Sequence, residues 1–175
     1  MVPHLNKETM LSKKMLKILN EQVSKEAYAS QLYLSMASWA ETRGMAGIAS
    51  WFYAQSDEER GHMMKFILFI NERGGHAEVP KIDQPPKDFP GVREVFDASL
   101  EHEQMVTAAI NDIVSLSLNE KDYATHNWIQ WFVDEQMEEE ASVQGVIDKL
   151  ALLGSNNLYL FDRDILSMRE TGEGE

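Results

Sequence analysis

Cysteine is absent from the 175-residue chain, which excludes disulfides, CxxC zinc sites and rubredoxin-type iron centres. Long apolar runs are missing too. The longest stretch without a charge, Ala27 to Ala40, has 14 residues and contains Ser and Gln, too short to span a bilayer. The first residues, "MVPHLNKETML", show no apolar h-region of the signal-peptide kind, so a cytoplasmic protein is the expectation. Positive charge is scarce: 16 Lys and Arg against 29 Asp and Glu leave a net charge of −13. Such a surface repels nucleic acid and anionic membranes alike. It is compatible with attracting cations, although solubility alone is the plainer reading. Proline is nearly confined to one place, four of the five falling in residues 74–91, "GGHAEVPKIDQPPKDFPG". No convincing period-2 segment exists, so the chain reads as all-α.

What is present is ordinary for a globular domain: 43% hydrophobic residues and 26% charged. The length predicts a single domain spanning 1–175 with a sizeable core. Punctuation divides it into five helices, at about 12–42, 45–73, 92–118, 121–153 and 157–169. The breaks are "TRGMAG", the Gly74-Gly75 pair, "NEKD" and "GSNN", with "TGEGE" as a frayed tail. Residues 74–91 form a long extended connection.

The four long helices carry the same stripe. The first reads Leu19, Val23, Glu26, Ser30, Tyr33, Ala37; the second reads Ile48, Phe52, Gln55, Glu59, His62, Phe66, Phe69. The third reads Phe96, Ser99, Glu103, Val106, Ile110, Ile113. The fourth reads Ile129, Phe132, Gln136, Glu139, Val143, Val146, Leu150, Leu153. Steps of three and four alternate, the rhythm of helices packed nearly parallel in a bundle. Each stripe is apolar at its ends and polar near its middle. One such interruption reads as a satisfied core residue or a register device; four at corresponding places need a common cause.

Spacing sharpens the point. Glu26 to Glu59 is 33 residues, and so is Glu103 to Gln136. The midpoints of both helical pairs fall in the predicted turns, so each antiparallel hairpin sets its polar groups at mid-height. The proline-rich segment reaches about 60 Å when extended, enough to return along a helix of about 28 residues, roughly 42 Å long. One long crossover between the hairpins is thereby permitted.

Six side chains then converge: Glu26, Glu59, His62, Glu103, Gln136 and Glu139. Four uncompensated buried carboxylates would each cost several kcal/mol and would take up protons instead. Two divalent cations balance their charge. An oxygen-rich set with one imidazole suits iron or manganese better than a closed structural zinc site. Glu59 is placed to bridge two metals, with Glu26 and His62 on one side and Glu103 and Glu139 on the other. Gln136 reads either as a hydrogen-bond partner or as a labile ligand.

The motifs "KEAYASQLYLSMA" around Glu26, "DEERGH", "EHEQ" around Glu103 and "WFVDEQMEEE" around Gln136 together resemble the ferroxidase centre of the ferritin family over nearly the whole chain. That resemblance implies a ferritin-like four-helix bundle with one long crossover and a short fifth C-terminal helix lining four-fold channels. It implies a homo-oligomeric cage of 24 subunits. Its activity would be oxidation of Fe(II), two irons per subunit, by O2 or peroxide, with storage of the ferric mineral. The pattern is closest to non-haem bacterial ferritins. Bacterioferritins carry a second Glu-x-x-His where this chain has Gln136-x-x-Glu139, and a haem-binding Met where it has Arg60, so no haem is expected. Animal heavy chains share the Gln but usually have a small residue at the position of Glu139.

The family's bacterial members also imply a third iron site, on Glu58, Glu135, Glu138 and Glu139; the plainer reading of that acidic run is a solvated helix face. Tyr33 resembles the family's redox-active tyrosine, against the plainer reading of a core aromatic bonded to a carboxylate. Trp131 reads as packing rather than as an electron donor. His4, His76, His102 and His126 read as surface residues, and the ten methionines as core filler. Two alternatives to an iron-storage ferroxidase stay open: a soluble di-iron redox enzyme of a related bundle family, and a bundle whose buried polar groups are purely structural.

Overall fold

The computed structural model describes residues 9–154 and 157–168. Four long helices, α1 (Lys13–Glu41), α2 (Ala46–Glu72), α3 (Val92–Glu120) and α4 (Tyr123–Leu153), precede a short α5 (Leu158–Asp164) that tightens into a 3-10 turn over Ile165–Met168. Among the described residues there is no strand. The chain is an all-α four-helix bundle with a short C-terminal helix, as the stripes predict. His4 and the "TGEGE" tail lie outside the described residues.

Local chemistry sets the ends. The Ser12 hydroxyl accepts the Met15 N–H at 3.0 Å and starts α1, while the Asp122 carboxylate accepts the Thr125 N–H at 3.1 Å and starts α4. The break between α3 and α4 is shorter than "NEKD" suggests. Lys121 takes a left-handed conformation, φ 58°, and the Lys121 and Asp122 N–H groups return to the carbonyls of Leu118 and Ser117. Those two residues complete the reversal, so Asn119 and Glu120 stay helical.

Contacts at one end of the bundle fix the topology. The Met10 N–H donates to the Arg73 carbonyl at 2.9 Å, the Arg73 guanidinium meets Asp122 at 3.1 Å, and the Ser12 hydroxyl reaches Glu120 at 2.6 Å. The start of α1, the ends of α2 and α3 and the start of α4 therefore share that end. Residues 75–91 must run back along the bundle, and they do so without regular structure. They are pinned to α1, where Asn20 accepts the Glu78 N–H at 2.8 Å and the Ser35 hydroxyl donates to the Pro86 carbonyl at 2.5 Å.

The apolar core forms two separate clusters. One gathers Trp51, Phe52, Phe96, Val143 and Phe161 near the α1–α2 turn; the other gathers Met15, Leu19, Phe66, Ile110 and Phe132 near the α3–α4 turn. Ring contacts tie the helices within each, Phe52 stacked on Phe96 at 4.9 Å and Phe66 tilted against Phe132 at 4.4 Å. Between the clusters lies the polar layer that the stripes place at mid-height.

The short fifth helix is present and docks on the chain's own bundle. Of its apolar positions Leu158, Phe161, Ile165 and Met168, Phe161 and Ile165 are buried there, Phe161 lying 6.2 Å from Phe96 between ring centres. Asp162 supplies the reason. Its carboxylate accepts the Ile48 N–H at 2.9 Å in the first turn of α2, where Met45 offers no side-chain cap. Gly47 allows the approach, because a Cβ there would lie 1.7 Å from the Asp162 carbonyl oxygen. Leu158, Tyr159, Leu160 and Leu166 remain exposed.

Gly47→Ala is therefore expected to push α5 off the bundle and cost about 1–3 kcal/mol. A lower melting temperature together with new proteolytic cleavage near Gly154 would show it; a variant that melts and resists protease like the parent would contradict this docking.

Candidate metal centre

The polar layer draws on all four long helices: Glu26 from α1, Glu59 and His62 from α2, Glu103 from α3, Gln136 and Glu139 from α4. None is more than 5% exposed. One ligand atom each from Glu26, Glu59 and His62 lies within 4.8 Å of the others. Glu26 Oε2, Glu59 Oε2 and His62 Nδ1 are buried and receive no donor from the rest of the protein; the only hydrogen bond open to the two oxygens joins the Glu26 and Glu59 carboxyls across a shared proton. Groups so placed are costly to bury without a partner. Glu26, Glu59 and His62, with ligand atoms this close together, could hold a cation.

A second group adjoins the first. Ligand atoms of Glu58, His62, Glu135 and Glu139 lie within 4.8 Å of one another. His62 belongs to both, with Nδ1 3.6 Å from Glu59 and Nε2 3.7 Å from Glu135. A neutral imidazole offers one lone pair and one N–H, so it ligates on one side only. With Glu135 facing Nε2, the lone pair is best directed from Nδ1 into the first group. Glu138, placed in the third-site set by resemblance, is exposed and stands outside this group, whose fourth member is His62.

Glu103 is engaged differently. The Tyr33 hydroxyl donates to its Oε1, and Gln136 Nε2 donates to its Oε2 at 3.1 Å. Ser99 donates in turn to the Tyr33 oxygen at 3.3 Å. Both Glu103 oxygens are thus held by the protein, and Gln136 acts here as a hydrogen-bond partner. Glu139 accepts from Gln55 Nε2 at 2.8 Å, and Glu26 from Gln22 Nε2 at 2.7 Å. Gln22 escaped the sequence reading, although it stands one helical turn before Glu26 as Gln55 does before Glu59.

Burial raises the affinity of Glu26, Glu59 and Glu139 for protons well above the ordinary glutamate range, and neighbouring carboxylates raise it further. Burial raises Glu103 as well, against the Tyr33 and Gln136 hydrogen bonds that favour its anion. Tyr33 is held well above the ordinary phenol value by burial and by Glu103. Without a counter-cation the layer keeps protons.

His102 is not the surface residue that its polarity suggests: it is 6% exposed, its ring 5.9 Å from Tyr28 and edge-on to Tyr33 at 6.2 Å. Burial alone lowers its pKa to about 4, so it is neutral. Its spacing carried the signal, three residues after Ser99 and four before Val106, which widens the α3 stripe toward α1. His76 is exposed and His126 half-buried. Trp131 packs, 5.5 Å from the His62 ring and 4.8 Å from Phe132, while its own ring stays 40% exposed.

Comparison with known proteins gives a consistent answer. A family model described as a ferritin-like domain matches residues 16–153. The bacterial non-heme ferritin of Campylobacter jejuni is 44% identical over 158 residues, 89% of this chain and 95% of that relative. The protein of the same name from Staphylococcus aureus is 39% identical over 158 residues, 89% of this chain and 95% of its own. Among solved structures, the open-pore ferritin of Archaeoglobus fulgidus superposes with a TM-score of 0.84 at 37% identity, covering 94% of this chain and 98% of the other.

The raised proton affinities set a pH dependence. A carboxyl that binds its proton more tightly folded than unfolded stabilises the fold at low pH, and that contribution is lost as pH rises through the raised value. Metal-free protein should therefore lose melting temperature relative to Glu59→Gln as pH rises above the ordinary glutamate range. His102 acts oppositely, its contribution growing as pH rises from about 4 to 6.5, but both chains share it and it cancels in the difference. A difference that stays flat, or grows in favour of the parent, would contradict the buried-carboxyl account.

Proposed function

Because the chain belongs to the ferritin family, we propose that it stores and detoxifies iron, oxidising Fe(II) at an intra-subunit ferroxidase centre and holding the ferric mineral in a homo-oligomeric cage of 24 subunits. The observation that carries the reading is the set of three buried ligand atoms on Glu26, Glu59 and His62 that receive no donor from the rest of the protein. An oxygen-rich donor set with a single imidazole suits Fe(II). Related ferritins bear the names reported above.

In this reading Fe(II) is the substrate, two ions per chain. Glu26 and His62 hold one, Glu103 and Glu139 hold the other, and Glu59 bridges them. Gln136 and Tyr33 orient Glu103, and Tyr33 is also placed for one-electron chemistry beside the centre. Each Fe(II) gives up one electron; together they reduce O2 to H2O2, with two protons taken up, or reduce peroxide to water. Cation entry releases the protons held by the buried carboxyls, and these are available to the reduced oxygen. Glu58, Glu135 and Glu139, with Glu138 at the solvent edge, form a third position. Arg60 is exposed and offers no thioether, so the reading includes no haem.

Fe(III) product is insoluble, so storage needs a closed shell, and closed point-group symmetry builds one from repeated copies of one chain. The leucines and Tyr159 left exposed on and beside α5 suit burial between copies. No described helix is long and apolar enough to cross a membrane, and the net charge of −13 opposes nucleic-acid binding. A cytoplasmic location completes the reading.

Glu59→Ala should slow the fast phase of Fe(II) oxidation in stopped flow by more than about tenfold while the helical signal persists; a parental rate would remove Glu59 from the centre. Iron added to the assembled protein at hundreds of ions per particle should stay soluble by light scattering. A 20 kDa species on sizing, with soluble iron limited to the protein's own ligand positions, would favour a di-iron redox enzyme instead.

A further inference from the structure

Lys65 follows His62 by three residues on α2, and its ammonium is placed unusually. The Nζ lies 2.9 Å over the Trp131 ring and 6.0 Å from the centre of Phe132. Trp131 in turn sits 5.5 Å from the His62 ring. The ammonium is therefore held, by attraction to the indole face, beside the Glu58, His62, Glu135 and Glu139 group. Partial burial lowers its pKa from the ordinary lysine value, against Glu135 and Glu58, which favour its charge. Lys65 in turn helps Glu135 to stay ionised.

We propose that Lys65 is a tethered cation that competes with a metal ion for the Glu58, Glu135 and Glu139 carboxylates and keeps them a weak position through which ions pass. The inference rests on reading these carboxylates as metal ligands. Its physical basis is repulsion. A divalent ion entering the group meets a unit positive charge that is already there and already neutralising part of the local negative charge. Glu59 faces the other nitrogen of His62 and shares the first ligand set with Glu26. The handicap therefore falls on one position and spares the other. An ion leaving the centre by way of Glu139, which both sets share in the proposed function, would be released and not trapped.

The test is calorimetric titration of the assembled, iron-free protein with Zn(II), a redox-inert probe, for the parent, Lys65→Met and Lys65→Arg. Methionine keeps an apolar stem over Trp131 and removes the charge; arginine keeps the charge. The parent should bind about two ions per chain tightly and a further one weakly. In Lys65→Met the weak position should tighten about tenfold with the tight ones unchanged, and Lys65→Arg should behave as the parent. An unchanged weak position in Lys65→Met, or equal tightening in Lys65→Arg, overturns the competition and leaves the ferroxidase reading standing. A parent chain that binds no Zn(II) in the centre overturns both.

Discussion

Four carboxylates buried in one layer of a helical bundle cannot all be charged without positive charge among them. Everything else in this structure is arranged around that constraint. Glu26, Glu59, Glu103 and Glu139 are each at most 5% exposed, and His62 brings an imidazole to the ligand set. Metal-free, the layer is held by retained protons and by four donors, Gln22, Gln55, Tyr33 and Gln136. These satisfy some oxygens and leave Glu26 Oε2 and Glu59 Oε2 with no donor except a proton shared between the two carboxyls. The arrangement is unfavourable for a bundle that only needs to fold and suited to one that must receive cations.

Stability comes from elsewhere. The two apolar clusters on either side of the layer supply the burial, with ring contacts such as Phe52 on Phe96 and Phe66 against Phe132 close to the site on both flanks. Replacing such a ring with alanine costs about 3–5 kcal/mol, so the flanks have the reserve to hold a strained centre in place. The bundle ends are closed by polar ties: Arg73 with Asp122 at one end, Asp162 on the first turn of α2 at the other. Ligands on four different helices keep their mutual distances because both ends are fixed.

The legible part of this in the sequence was the part with periodicity. The stripes placed Glu26, Glu59, His62, Glu103, Gln136 and Glu139 on inward faces, and the 33-residue spacing set them at one height, because helical geometry converts sequence offset directly into position. Orientation within the layer was not legible. Which oxygen of Glu103 meets Tyr33, or that Glu58 and Glu135 reach His62 while Glu138 points outward, depends on rotamers and on the rotation of α4 by a fraction of a turn. The neutral, buried His102 was misread because its polarity outweighed a spacing that fitted the stripe. The docking of α5 was hidden too. It depends on a carbonyl passing over Gly47 and a carboxylate on a distant N-terminus, contacts between residues more than a hundred positions apart.

The central claim is that the buried ligand atoms of Glu26, Glu59 and His62 are the coordination sites of a divalent cation. Anomalous diffraction from crystals soaked anaerobically in Fe(II) tests it most directly. The account predicts a strong iron peak between Glu26, Glu59 and His62 Nδ1, and a second peak on the far side of Glu59 toward Glu139 and Glu103. Iron found only at surface carboxylates, with the layer between the two apolar clusters empty, would contradict it.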